Sequence, residues 1–495
     1  MAEAASSSPL HIVVFPWLAF GHMIPFLELS KRLARRGHAV TFVSTPRNAA
    51  RLRAVPPELS VRLRVVTLDL PVVEGLPEGA ESTADVSPEK VPLLKAAFDG
   101  LAAPFSALVG ERGGGEADGV FDRKPGWIIL DLIPCAMFLI LPAALLAYIG
   151  PKHENEAHPR RTTEDFMAQP PWIPFPTTTI FHLRHEAMSR ASEFQPNASG
   201  VADADRLWQV HHNSCRLIVH RSCPEAEPWL FPLLSNLFSK PVVPAGLLLP
   251  TDIAAGDVTG DDEPFEAAAR WLDRQPRRSV AYVALGTEAP VTAAHIVELA
   301  RGLELSGVRF LWALRTPAIA AGELLPDGFE RRVAGRGVVV PGWVPQVRVL
   351  GHAAVGAFVT HCGWGSTVES LFMFGLPLVM LPFVFDQGLN ARAMAARGVG
   401  VEVARDDDGS FSGEDVAAAV RRVMVDEEGE ELARNAQELQ RVVGDRARDE
   451  QYVDELLEYL QRCNVAFWRL AKWGNSLHLA PSGPSEMRDI TRVTL

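Results

Sequence analysis

Residues 10–44 read LHIVVFPWLAFGHMIPFLELSKRLARRGHAVTFVS, and their pattern sets the fold of the first half of the chain. His11–Trp17 is an apolar run of strand length, and LAFGH is a short loop. Phe26, Leu29 and Leu33 then recur at helical spacing, opposite Lys31, Arg35 and Arg36. Gly37 ends this helix as a C-cap, and Ala39–Ser44 follows directly as a second strand. Strand, amphipathic helix and strand in succession predict a parallel βαβ unit.

The alternation returns after the polar stretch TDIAAGDVTGDDEP. Val280–Leu285, Val308–Leu314, Val338–Val340, Val355–Val359 and Leu378–Leu381 are predicted strands with helices between them. Thr292 opens a helix that ends at Gly307, and Ser412 with Asp415 opens another as a capping box. The chain therefore reads as α/β, with two mainly parallel sheets flanked by helices. The expected division is a first domain over 1–246, a linker over 247–263, a second domain over 264–463 and an extension over 464–495. Residues 110–125 and 151–172 read as surface loops.

A length of 495 residues, 47% of them hydrophobic and 22% charged, suits two or three ordinary globular domains. A net charge of −12 disfavours nucleic acid or an anionic membrane surface as partner. Five scattered cysteines fit reduced thiols in the cytoplasm better than a disulfide framework. No basic residue precedes the first apolar run, so no secretory signal is expected. Leu132–Gly150 is 19 residues without a charge, long enough to cross a membrane. Pro134 and Pro142 interrupt it, and it reads instead as a buried strand plus a core helix, with no membrane span. A monomer is expected.

Parallel sheets bind ligands at the carboxyl ends of their strands. In THCGWGSTVES, residues 360–370, a strand ends at His361 and the chain turns through Gly363 into a helix near Ser366. Unpaired N–H groups and a partial positive charge make such a turn an anion site, and a phosphate suits it. His361 and Ser366 add donors, and Thr287 adds a hydroxyl from a neighbouring strand end. Trp343 offers a flat face for a base, Glu369 can accept ribose hydroxyls, and Asp386 with Gln387 can do the same for a sugar. Together these describe a nucleotide-sugar pocket. In the first half, His22 opens a helix whose N-terminus disfavours imidazolium, so a neutral imidazole can act as general base. Asp131, after the strand Trp127–Leu130, can bond the far imidazole nitrogen, as in a hydrolase triad. Asp406-Asp407-Asp408-Gly409 reads as a turn, and His211-His212 lacks ligand spacing, so neither metal nor cofactor is expected. No G-x-G-x-x-G follows the first strand, which argues against a dehydrogenase.

Trp343–Gln387, WVPQVRVLGHAAVGAFVTHCGWGSTVESLFMFGLPLVMLPFVFDQ, resembles the signature of plant secondary-product UDP-glycosyltransferases. PWLAFGH, VEGLPEGAEST, FDGLAAPFS and WLDRQPRRSVAYVALG are similar to the branch that often extends an existing glycoside, including UDP-rhamnose-using members. The resemblance implies the GT-B fold, two facing Rossmann-like domains with the active site in their cleft. It implies a UDP-sugar co-substrate, no metal, and a small hydroxylated or glycosylated acceptor of flavonoid or terpenoid type. By it, Trp343 stacks on uracil, Gln346 and Glu369 hold ribose, and His361, Gly365 and Ser366 meet the diphosphate. Trp364, Asp386 and Gln387 line the sugar, Gln387 being similar to glucose-using members. His22, paired with Asp131, is the base of a single inverting displacement.

Three features depart from that family. Gly365 stands where members usually carry Asn, losing a donor worth about 1–2 kcal/mol. SLFMFGLP is one residue longer than usual, which rotates the downstream chain by ~100° unless a bulge absorbs it. Only Leu132-Ile133-Pro134 separate Asp131 from the apolar run CAMFLI, whereas a parallel neighbour needs about a dozen residues of crossover. The segment after Cys463, with Phe467, Trp468 and Trp473, also exceeds the usual family end. The alternative is an impaired UDP-sugar-binding paralogue or a faulty gene model.

Overall fold

The computed structural model describes residues 9–52, 54–110, 125–130, 136–197, 199–208, 215–250, 263–286, 289–314, 324–342 and 344–473. Its first sheet comprises β1 (His11–Phe15), β2 (Ala39–Ser44), β3 (Leu63–Thr67), β4 (Trp127–Leu130), β5 (Ala136–Leu139), β6 (Ile218–His220) and β7 (Val242–Pro244). Its second comprises β8 (Val280–Ala284), β9 (Arg309–Leu314), β10 (Gly337–Pro341), β11 (Val355–Thr360), β12 (Leu378–Met380) and β13 (Gly400–Glu402). The spatial orders are β3-β2-β1-β4-β5-β6-β7 and β10-β9-β8-β11-β12-β13, and neighbouring strands pair in parallel. Central strands such as β1, β2, β8 and β11 are buried at every position, as expected where helices cover both faces.

Five helices position the site. They are α1 (Phe20–Arg35), α2 (Arg184–Glu193), α3 (Trp364–Thr367), α4 (Gln387–Ala396) and α5 (Arg446–Trp473). Leu132–Gly150 does not form one apolar span. Its described part divides into β5 and a buried core helix, Ala143–Ile149. Pro88–Val109 has the length and, at a mean hydropathy of 1.2, the composition to cross a membrane. Its Leu94, Phe98, Leu101 and Phe105 pack in the first domain's core. Residues 151–172 are not wholly loop, since they carry the short helices Lys152–Ala157 and Thr163–Met167.

The short β4–β5 connection leaves β5 in place. Ile129 pairs with Ala136 and Leu130 with Met137, both in parallel. β5 is thus the parallel neighbour of β4; residues 131–135 between them lie outside the described residues.

The chain crosses back, and α5 places Val453, Leu456, Leu457 and Leu460 in the first domain's core beside Phe26, Trp127 and Phe138. Trp127 Nε1 donates to the Leu460 carbonyl at 3.0 Å. This helix covers the face of α1 that carries Arg32, which is buried rather than solvated, as is Lys31 beside it. Arg32 Nη1 donates to Asp449 Oδ2 at 2.8 Å and Nη2 to the Leu249 carbonyl at 2.7 Å. The Asp449 carboxylate also accepts the backbone N–H groups of Leu247, Leu248 and Leu249. Removing one partner of a buried ion pair strands the other, at a cost of about 3–5 kcal/mol. Asp449→Ala is therefore expected to lower unfolding stability by that amount in denaturant titration. A loss under about 1 kcal/mol would show that Glu28 and Glu450, which approach Arg32 Nε at 3.3 and 3.4 Å, can satisfy Arg32 without Asp449.

Candidate functional site

Each sheet reverses its strand order once, between β1 and β4 and between β8 and β11. Loops diverge at such points and leave a crevice at the carboxyl edge. In the first domain that edge carries His22, half-buried in the first turn of α1, whose backbone N–H donates to the Ala19 carbonyl at 2.9 Å. Leu130, the end of β4, pairs with Phe15 of β1, so the two strands end side by side. Asp131, the next residue, lies outside the described residues, as do Thr287 and Trp343.

In the second domain β11 ends at Thr360, and the His361 imidazole lies against two glycine backbones. A Cβ on Gly286 would stand 2.6 Å from its Cε1, and one on Gly363 would stand 2.7 Å from its Nε2. Gly286 also has φ +71°, a left-handed conformation that suits glycine. Between these glycines Cys362 takes φ +63°, an unusual value for a residue with a side chain. Asn390 Nδ2 fixes that kink by donating to the Cys362 carbonyl at 2.9 Å.

The helix that follows starts at Gly363, which has no side chain to cap it; Asp386 Oδ2 accepts the Trp364 N–H, and the next N–H groups of the first turn are left as donors. Gly365, Ser366 and Glu369 are half-buried. Gln346 Nε2 donates to Glu369 Oε2 at 2.8 Å, which brings the two expected ribose ligands together. After α3 the backbone widens into a π turn over Val368–Phe372. Such a turn takes one extra residue into a helix without rotating the rest. The added residue near SLFMFGLP is absorbed there, and Asp386 Oδ2 still reaches the Trp364 N–H at 3.3 Å.

Trp364 requires a correction. Its indole does not line a sugar pocket, because it is 3% exposed, packs edge-on against Phe372 and donates Nε1–H to the Arg221 carbonyl at 2.7 Å. A large apolar ring with one donor is best satisfied in the core. Asp386 and Gln387 are buried beside it. Gln387 Oε1 accepts from Phe383 N at 2.8 Å and Val384 N at 3.1 Å, while Nε2 has no acceptor among the described residues. Burial pushes the Asp386 carboxyl up to about 6, against the pull of Asn390. Phe385, just before it, is exposed at φ +55°.

The residue patterns gave no notice of the cross-domain clamp at α4. Arg392 donates from Nη1 and Nη2 to Glu186 Oε1 and Oε2 at 3.2 and 2.6 Å. Burial drives His182 down to about 4, so the neutral ring donates Nδ1–H to Glu186 at 3.1 Å. Although burial opposes it, His182 and Arg392 hold the Glu186 carboxyl well below the usual carboxylate range. Gly388 makes room for that carboxylate. The clamp anchors α4, whose first residue is Gln387, on α2 of the first domain. Asp406–Gly409 forms a turn, with Gly409 at φ +87°. No group of three or more His, Cys, Asp or Glu residues suited to a metal occurs among the described residues.

The family model for UDP-glucoronosyl and UDP-glucosyl transferase matches residues 217–449. The chain is 42% identical over 472 residues to UDP-glycosyltransferase 91B1 of Arabidopsis thaliana, covering 91% of this chain and 97% of that one. It is 37% identical over 479 residues to soyasaponin III rhamnosyltransferase of Glycine max, covering 93% and 97%. Phytolacca americana UGT2, solved with UDP-2fluoro-glucose and pterostilbene, superposes at a TM-score of 0.68 with 25% identity, covering 92% of this chain and 100% of that one. Two facing parallel-sheet domains and a glycine-rich helix start at the cleft, together with relatives matched along nearly their whole length, lead to one conclusion: the chain belongs to the plant UDP-glycosyltransferases, enzymes of GT-B fold that transfer sugar from a UDP-sugar.

Proposed function

We propose that the chain transfers a hexose from a UDP-sugar to a hydroxyl of a small plant metabolite or its glycoside, with inversion and with His22 as base. The observation that carries this reading is that His22 and the His361 cradle occupy the carboxyl-edge switch points of the two sheets. The acceptor hydroxyl gives its proton to His22 while its oxygen attacks the anomeric carbon. The bond from that carbon to the β-phosphate breaks, and UDP departs into the N–H donors at the start of α3. Those fixed donors serve the charge that a metal would otherwise neutralise, so the reading includes no metal and no cofactor. Asp131 is assigned the positioning of His22.

Glucose is the first donor to test, because Gln387 Nε2 is available to sugar hydroxyls; UDP-rhamnose is the second, supported by the rhamnosyltransferase relative. That relative's name also supports a saponin-type, sugar-bearing terpenoid acceptor, and a flavonoid glycoside is the other class to test. Buried Cys215, Cys223 and Cys362 and a net charge of −12 support a cytoplasmic protein, the core packing of Leu94, Phe98, Leu101 and Phe105 supports the absence of a membrane span, and the reading includes a monomer.

A transfer assay with UDP-glucose and UDP-rhamnose against flavonoid and terpenoid glycosides tests the reaction. In it, His22→Ala is expected to lower kcat about 10²–10⁴-fold with UDP binding unchanged. Near-native turnover in that variant would remove His22 as the base. Gly286→Ala, which pushes a methyl onto His361, is expected to weaken UDP about tenfold or more in a binding titration. An unchanged UDP affinity would mean that His361 does not serve the diphosphate.

A further inference from the structure

Arg221 follows β6 at the carboxyl edge of the first sheet and is 3% exposed. Its backbone is fixed on both sides: its N–H donates to the Leu139 carbonyl at 2.8 Å, and its carbonyl accepts the Trp364 indole at 2.7 Å. Nε–H donates to the Leu247 carbonyl at 2.8 Å, but neither Nη atom has an acceptor among the described residues. No carboxylate forms an ion pair with it there. Burial pulls this guanidinium down to about 10, with Glu369 acting against it through space, so it remains charged at neutral pH.

A buried cation with unmatched donors is unfavourable unless an anion meets them. A Cβ on Gly365 would lie 3.7 Å from Arg221 Nη1, so the guanidinium faces the first turn of α3, where Asp386 takes the Trp364 N–H but not the N–H groups that follow. Glycine leaves that gap open, and Ser366 and Glu369 flank it on the same half-buried surface. A planar fork of donors beside orphan backbone N–H groups matches a phosphate.

We propose that Arg221 is a ligand of the UDP-sugar's diphosphate, reaching from the first domain into the gap that Gly365 leaves open. It takes the place of a side-chain donor at 365 and meets the charge that gathers on the β-phosphate oxygen as its bond to the anomeric carbon breaks. The electron pair of that bond stays on the oxygen, and no proton has to move. This role rests on the donor-site reading given above.

Titration of the full chain with UDP and with uridine, which lacks phosphate, separates the two readings. Wild-type protein that binds UDP no better than uridine would sink the donor-site reading itself. Given a UDP preference, Arg221→Met is expected to weaken UDP roughly 10- to 100-fold while leaving uridine unchanged. Arg221→Lys keeps the charge but loses the fork, and is expected to fall between. Adding Gly365→Asn to Arg221→Met is expected to restore part of the UDP preference by placing an amide in the same gap. A wild-type ratio of UDP to uridine affinity in Arg221→Met, or in Arg221→Lys should the Met variant not fold, overturns the proposal. So does a parallel loss of both ligands, which marks a purely structural arginine.

Discussion

The Asp449 carboxylate holds the molecule's parts in register. It is buried, and it takes a guanidinium from α1 and three successive backbone N–H groups from the segment that leaves the first domain. Those donors leave few lone pairs unmatched, which is the condition under which a buried ion pair persists. Gly246, at φ +73°, lets the backbone come up against that carboxylate. First helix, interdomain segment and final helix therefore meet at one charge, and the cleft lies between domains whose relative placement that charge helps to set. A second tie, Glu186 with Arg392, fastens the domains at α4.

Around the cleft, absent side chains matter as much as present ones. Gly286 and Gly363 let an imidazole lie flat between two strand ends, and Gly388 lets a carboxylate approach a helix. Two residues with side chains, Cys362 and Phe385, hold left-handed backbone beyond the ends of β11 and β12. Such conformations persist where surrounding contacts over-determine them. Here Asn390 supplies part of that constraint, binding both the Cys362 carbonyl and Asp386.

The layout was legible because burial on both faces writes continuous apolar runs, and helical spacing separates Phe26, Leu29 and Leu33 from charge. The donor turn was legible because glycine, histidine and serine cluster after such a run. The length mismatch in SLFMFGLP left two outcomes open, a rotation of the downstream chain or a bulge, and the π turn over Val368–Phe372 is the second. Trp364 was misread because composition says which ring is present but not which way it points. The burial of Arg32 had no local sign, because the helix that covers it lies more than 400 residues away in sequence. Arg221 carried no local signal beyond following a strand, since its importance depends on a glycine in the other domain.

The final helix also has a consequence in time. A chain leaving the ribosome completes β1–β7 long before Leu456 and Leu460 exist, yet those leucines belong to the first domain's core. At about 5–20 residues per second, the interval is roughly 10–40 s. Through it, Trp127 and Phe138 lack their native cover, and the first-made half of the protein is the last to be finished. The nascent first domain is thus the chain's point of exposure to chaperones and to aggregation, and a message cut short before α5 would cripple the half it encodes in full.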